Sequence, residues 1–423
     1  MPHYLLEKWH DDPSFLALQK PLSGPSARLV TGMEGSQRSF FIAALYVSSS
    51  FASLVLTANM ARAEKIYEEV GSFVPAEELY LFPARDFFYA GEVLTTSKEI
   101  PQQRIRVLER LALGKKILVI APVAALLGKL IPKEQWEAKS IVLRPGARVE
   151  WEAFLKQLIG QGYERCDLVE TEGSFSVRGD IIDIFPYYTQ LPVRISFFDE
   201  EVESLRYFDP ESQRSREVLP ELAVFPAREV VLTSEAARRG KNTLLKELGK
   251  VAGRLKGKGQ EEAADRLGSR VESQLAKLES DGTYEGIEQY LTYFYPRPAG
   301  LLDYFPAGGT LFWDEPASTL DEAESLRREL HEYQSGLLIQ GDILPGQVEI
   351  CWSPKEIFER ITLHVLAMSA FTSRVPLVRL SGTINIPARP LPSFMGRLDL
   401  LKQEVKGWWS EGHEVFVMCE GEA

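Results

Sequence analysis

The chain has 423 residues, of which 45% are apolar and 26% charged, and 60 acidic against 48 basic side chains give a formal net charge of −12. That length calls for two or three cores rather than one, and no apolar run approaches the ~20 residues of a membrane span. The acidic balance argues against a surface built mainly to neutralise phosphates. Three far-apart cysteines and five scattered histidines give no metal-ligand spacing. The opening MPHYLLEKWHDDPSF has no basic segment followed by an apolar one, so a cytoplasmic, metal-free protein with no membrane partner is expected.

Residues 1–145 alternate apolar β-rich runs with helical patterns. ARLVTG, ASLVLTA, ELYLFPA and KKILVIAPVAAL each read as a buried strand leading into a turn or helix. Runs apolar on both faces suit a parallel sheet covered by helices on both sides, which makes this an α/β domain. From 146 to 230 the pattern changes. A helix at WEAFLKQLIGQG precedes short alternating strands in EGSFSVRGDIIDIFP, LPVRISFFD and EVESLRYFD, as in a small antiparallel α+β domain. Residues 231–345 begin with a charged helical stretch, and GIEQYLTYFYPRPAGLLDYFPAGGTLFWDEP then reads as a return to buried strands of the interrupted α/β domain. Residues 346–385 read as a connecting segment. From 386, the helical FMGRLDLLKQEVKGWWSEG and the strand-like HEVFVMC read as the incomplete start of a further domain.

LVTGMEGSQRSFFIAALY, at 29–46, has the outline of a phosphate-binding loop. Such a loop needs G-x-x-x-x-G-K-[ST], in which the glycines turn backbone N–H groups toward the phosphates. Its lysine bridges the β- and γ-phosphates, and its hydroxyl holds Mg²⁺. Counting from Gly32, Gln37 stands where the second glycine belongs, and its Cβ penalises a positive φ. Arg38 replaces the lysine, and a planar guanidinium is not equivalent to a compact ammonium there. Glu34 adds a negative charge to the turn, where Gly35 and Ser36 follow, and Ser39 alone survives in kind. Gly32, Gly35, Gln37, Arg38 and Ser39 are therefore expected to form a degenerate loop that does not bind nucleotide. Asp314 and Glu315 follow a strand in TLFWDEPAST as Mg²⁺-holding acids do, but without the lysine loop they receive no catalytic role.

Residues 238–258 hold eight basic side chains against the single acid Glu247. A solvated helical hairpin explains them, with nucleic-acid or partner contact as the competing account. In VRISFF, the period of two puts Val193, Ile195 and Phe197 on one face and Arg194, Ser196 and Phe198 on the other. In FSVR, Phe175 and Val177 point inward and Arg178 outward. Outward arginines with an aromatic are residue types of interface hot spots. Equally, each arginine could pair with Asp180, Asp183, Asp199 or Glu201, for about 0–1 kcal/mol if exposed. The residues alone leave both accounts open.

EGSFSVRGDIIDIFPYYTQLPVRISFFDEEVESLRYFD resembles the interdomain module shared by the excision-repair protein UvrB and the bacterial transcription-repair coupling factors. GIEQYLTYFYPRPAGLLDYFP and FWDEP resemble the next part of the same homology region. UvrB has an intact phosphate loop followed by a long tyrosine-rich hairpin; the eroded loop, and the short LYLFPARDFFYAGEVLTTSKEIPQQRIRVLERLA in the hairpin's place, match the coupling factors instead. The resemblance implies a degenerate RecA/P-loop-like parallel-sheet domain interrupted by a UvrA-binding module. Arg178, Arg194 and Phe198 are then the UvrA-contacting positions, with Arg206 a fourth whose strand phase is ambiguous. It also implies a non-catalytic role for this chain: recruiting UvrA, and so nucleotide excision repair, to RNA polymerase stalled at lesions. The alternative is a divergent UvrB-like ATPase that binds damaged DNA. ATP, Mg²⁺, RNA polymerase and double-stranded DNA are expected to engage further domains of the longer family proteins, an RNA polymerase-binding domain and an ATP-driven DNA translocase, whose motifs do not occur here.

Overall fold

The computed structural model describes residues 5–6, 13–19, 26–85, 98–372, 374–388, 391, 394 and 396–416. The chain lays down strand β1 (Ser26–Thr31) and helix α1 (Ser36–Ser48), then β2 (Ser53–Thr57) and α2 (Met60–Gly71). Strand β3 (Leu79–Leu81), helix α3 (Glu99–Ala112) and β4 (Leu118–Pro122) follow. Every residue of β2 and of β4 is buried. That follows from their unbroken apolar character, and alternate side chains enter cores on opposite faces: Leu54 and Leu56 on one, Val55 on the other. Asn59 starts α2 by accepting a hydrogen bond from the Arg62 amide.

The chain then leaves this sheet for a module. Strand β5 (Ile141–Leu143) begins it, inside the span read as the first domain. Helix α4 (Trp151–Gln161) comes next, capped by Glu150 and ended by left-handed Gly162. Strands β6 (Glu164–Arg165), β7 (Ser174–Arg178), β8 (Ile181–Ile184), β9 (Val193–Phe198), β10 (Glu201–Phe208) and β11 (Ser215–Val218) form one sheet in the order β11-β10-β9-β8-β7-β6. All its pairings are antiparallel except β6 with β7. Strand β12 (Leu222–Val224) closes the module by pairing antiparallel with β5, so the chain enters and leaves through a two-stranded neck. Phe154 and Leu158 of α4 cover one face of the six-stranded sheet, against Phe175, Ile182, Ile195 and Phe197.

A helical hairpin follows, α5 (Ser234–Gly257) and α6 (Glu261–Asp281), capped at its start by Thr233. Residues 287–304, read from sequence as strands, instead form three short helical turns with buried aromatics. Pro296, Pro298 and Gly300 interrupt the run, and a proline cannot donate to a sheet ladder. Strand β13 (Thr310–Asp314) returns to the parallel sheet and leads into α7 (Pro316–Gln340).

The segment 346–385 is not a connector. It supplies β14 (His364–Met368) and β15 (Arg379–Asn385), giving a seven-stranded, all-parallel sheet in the order β15-β1-β14-β13-β2-β4-β3. Residues 386–388 belong to the same unit rather than to a new one. The Ile386 amide donates to the Thr31 carbonyl at 2.8 Å and the Ala388 amide to that of Gly32 at 3.1 Å. Helix α8 (Leu398–Ser410) buries none of its residues. The strand expected at HEVFVMC has no strand geometry at 413–416 and otherwise lies outside the described residues.

Candidate functional site

Strands β1 and β13 flank β14, so the loop after β1 and the Asp314–Glu315 pair after β13 meet at one edge of the sheet. This carboxyl edge is where open α/β sheets hold ligands. Gly32 and Gly35 take positive φ, 89° and 56°, as a phosphate loop would. The occupants differ. A Cβ on Gly32 would sit 2.4 Å from the Ile386 carbonyl oxygen, so the chain's own backbone fills the space above the loop. Gln37 folds back, its side-chain oxygen accepting from the Glu34 amide at 3.2 Å. Ser39 is buried and donates to Glu69, with no opening toward a metal.

Arg38 is buried and turned inward. Its guanidinium donates to Asp314, to Glu315 at 2.7 Å and to the Met33 carbonyl at 3.1 Å. Arg62 of α2 grips the other side of Asp314, at 2.7 and 3.2 Å. Its hydrogen bonds to that carboxylate hold its pKa above the usual arginine value, against the opposing effect of burial. Glu315 adopts a left-handed conformation, φ 43°, and its carboxylate accepts from the Ser369 hydroxyl and the Ala370 amide. The one cation a phosphate would need and the acids a metal would need are thus spent on each other. The residues present do not fit ATP. Among the described residues no group of three His, Cys, Asp or Glu could hold a metal ion. Burial pushes the Cys351 thiol up to about 12.

The second candidate surface is the module's other sheet face. Strand parity places Arg178, Ile181, Asp183, Arg194, Ser196, Phe198 and Arg206 on it, opposite the core side chains. Register resolves the phase of Arg206: it lies directly opposite Arg194, which in turn lies opposite Asp183. Arg178 is exposed and donates to the Asp167 carbonyl at 2.8 Å. Phe198 is 78% exposed, although it ends a strand whose other faces are packed.

Arg194 is not a free arginine. It grips buried Asp183 with two parallel hydrogen bonds of 2.8 Å, donates to the Gln213 carbonyl at 3.1 Å and lies over the Phe208 ring at 4.6 Å. The hydrogen bonds to Asp183 raise its pKa. Here the ion-pair account of the sequence holds, with the carboxylate buried and the guanidinium half-buried over it. Phe208, Phe185 and Val169 form a small second core under this end of the face. The open part is therefore Arg178, Ile181, Phe198, Arg206 and the exposed Val218 of β11. Ile181 and Val218 carried no signal in sequence, since an apolar residue in a strand reads as core. Arg62, inside an ordinary helical pattern, carried none either.

This module, β5 to β12, coincides with the match of residues 141–230 to the family model described as the UvrB interaction domain. The chain carries a UvrB interaction domain. It is also homologous to transcription-repair-coupling factors. It is 32% identical to that of Bacillus subtilis (strain 168) over 383 residues, 90% of this chain and 32% of the relative. To that of Staphylococcus aureus (strain Mu50 / ATCC 700699) it is 31% identical over 409 residues, 94% of this chain and 34% of the relative. The chain thus spans about a third of the length of these relatives. The outward residues of the UvrB interaction domain form the face described above. No helix among the described residues is long and apolar enough to cross a membrane.

Proposed function

We propose that the chain is a recruitment module of transcription-coupled repair, using the open face of its UvrB interaction domain to bind UvrA. In this reading it brings excision repair to RNA polymerase stalled at lesions, acts in the cytoplasm and hydrolyses no nucleotide itself. The observation that carries it is Phe198, a large aromatic left exposed on the same sheet face as Arg178 and Arg206, opposite the face that packs the module's core. Aromatic and arginine side chains are enriched among the anchors of protein interfaces. The Arg38–Asp314 pair supports the non-catalytic part, because a nucleotide would have to displace a buried ion pair to reach the loop. Polymerase binding and ATP-driven movement along duplex DNA by whole coupling factors belong, in this reading, to parts of those relatives that this chain does not match.

Calorimetric titration with UvrA tests the proposal. The parent chain is expected to bind, and Phe198→Ala with Arg206→Ala to lose at least about tenfold, since truncated hot spots cost ~2 kcal/mol or more. Arg194 is left intact so that Asp183 keeps its partner. Equal binding by parent and double variant would remove this face from consideration. Equilibrium binding of labelled ATP tests the non-catalytic part, with none expected.

A further inference from the structure

Helix α5 carries the basic stretch of residues 238–258, and the structure sorts its eight cations by what they touch. Lys241 pairs with Glu279, and Lys256 lies 3.3 Å from Asp265, both acids on α6. Arg239 donates to the Phe294 carbonyl at 2.7 Å. Glu247, the one acid of the stretch, is turned inward, accepting from the Tyr293 hydroxyl and from the Gly346 amide at 3.4 Å. Arg238, Lys246, Lys250, Arg254 and Lys258 remain, all exposed and, among the described residues, without an ion-pair partner.

Lys246, Lys250 and Arg254 recur every four residues, which places them in one row with a step of about 6 Å. Ala236, Gly240, Leu244, Leu248 and Leu255 are the buried residues of the helix. Gly249, Gly253 and Gly257 lie beside the row, and a Cβ on any of them would meet nothing within 4 Å. Gly240 differs: there a Cβ would run into the Phe294 ring at 2.0 Å. Packing therefore accounts for Gly240 and for none of the other three, although Gly249 and Gly253 weaken the helix interior and Gly257 ends the helix. Their effect is to leave the backbone low between the cations.

We infer that this face of α5 binds the phosphodiester backbone of double-stranded DNA without reading its sequence. Like charges repeated at one helical turn, with no carboxylate among them, suit a polyanion of regular repeat. A protein partner is the poorer fit, because the row offers no aromatic anchor and the exposed Leu245 lies to one side of it. Lysine and arginine contacts to phosphate position a duplex but do not discriminate bases. The net charge of −12 repels the same polyanion elsewhere on the chain, so binding is weak and steeply dependent on salt.

Fluorescence anisotropy with a labelled duplex of arbitrary sequence, UvrA absent, tests this between about 50 and 200 mM salt. Four phosphate contacts, from Arg238, Lys246, Lys250 and Arg254, predict a slope of log K on log salt of about −3.6. The variant Lys246→Gln, Lys250→Gln, Arg254→Gln is expected to keep its circular dichroism, to bind at least about tenfold more weakly at the lowest salt, and to reduce the slope to about −1. Absence of measurable binding by the parent at the lowest salt overturns the inference. So does unchanged binding by the folded variant, or equal competition by poly-glutamate of matched charge. With UvrA absent, none of these outcomes bears on the sheet-face contact proposed above.

Discussion

The guanidinium of Arg38 and the carboxylate of Asp314, 276 residues apart in sequence, form a buried ion pair where β1 and β13 deliver their loops. Arg38→Ala leaves Asp314 buried with Arg62 as its remaining cation, so a loss of about 3 kcal/mol is expected. Arg38→Lys keeps the charge but not the planar geometry, and should fall between the two. Urea denaturation followed by circular dichroism measures both, and an alanine variant within ~0.5 kcal/mol of the parent would sink the assignment.

Gly32 is needed for the chain above it rather than for a phosphate. Gly32→Ala demands an unfavourable positive φ and pushes a methyl group into the Ile386 carbonyl. The amides of Ile386 and Ala388 should exchange hydrogen faster in the variant, and protease sites beyond residue 386 should open. Unchanged protection at both amides would contradict this close approach.

Arg194 and Phe198 share a strand face but should separate into different phenotypes. Arg194→Ala strands the buried Asp183 carboxylate and is expected to destabilise the module by about 3–5 kcal/mol. Phe198→Ala removes an exposed ring and should leave stability within ~0.5 kcal/mol while weakening UvrA binding. Thermal melts beside the calorimetric titration distinguish the two. A Phe198 variant that melts early would make this residue structural.

Two buried glutamates impose opposite pH dependences. Burial alone would raise the Glu229 carboxyl, but Arg104 and then Arg85 hold it down to about 2 from the usual 4.5. A depressed folded-state pKa contributes stability above pH 4.5 that is lost as pH falls toward about 2. Glu109 is raised well above its usual value by burial and then by Glu172, against the weaker effects of the Tyr188 backbone amide, Arg110 and Arg106. The Tyr163, Tyr187 and Tyr188 rings crowd the same place. Its contribution is fully present below pH 4.5 and is lost as pH rises toward its folded pKa. Glu109→Gln should therefore gain stability over the parent at pH 8 and match it near pH 4, as read from urea midpoints. A variant no more stable than the parent at pH 8 contradicts the assignment.

The strands most readable from sequence were those whose burial leaves a simple mark. Strands β2 and β4 are apolar throughout, and β9 alternates strictly, so their faces followed from period alone. Strand β15, RLSGTIN, is an edge strand with almost every residue exposed, and no hydrophobic period distinguishes it from a connector. The departure of Gln37 and Arg38 from the phosphate-loop pattern could be read directly. What Arg38 does instead could not, because its partners arrive through a sheet crossover that local patterns do not encode. On the module, parity gave the face, whereas the capture of Arg194 by Asp183 needed the register of β8 against β9.

The two-stranded neck of β5 and β12 has a mechanical consequence. Both ends of the module leave side by side, so a load applied to its face reaches the large sheet through two adjacent strands rather than along one tether. Beside the neck, Arg104 holds Glu229, and further out along the same helix Arg106 holds Glu172 while Lys98 meets Glu164. The attachment is a bracket with several fixings. A load on the face is therefore shared between the paired strands and these ion pairs.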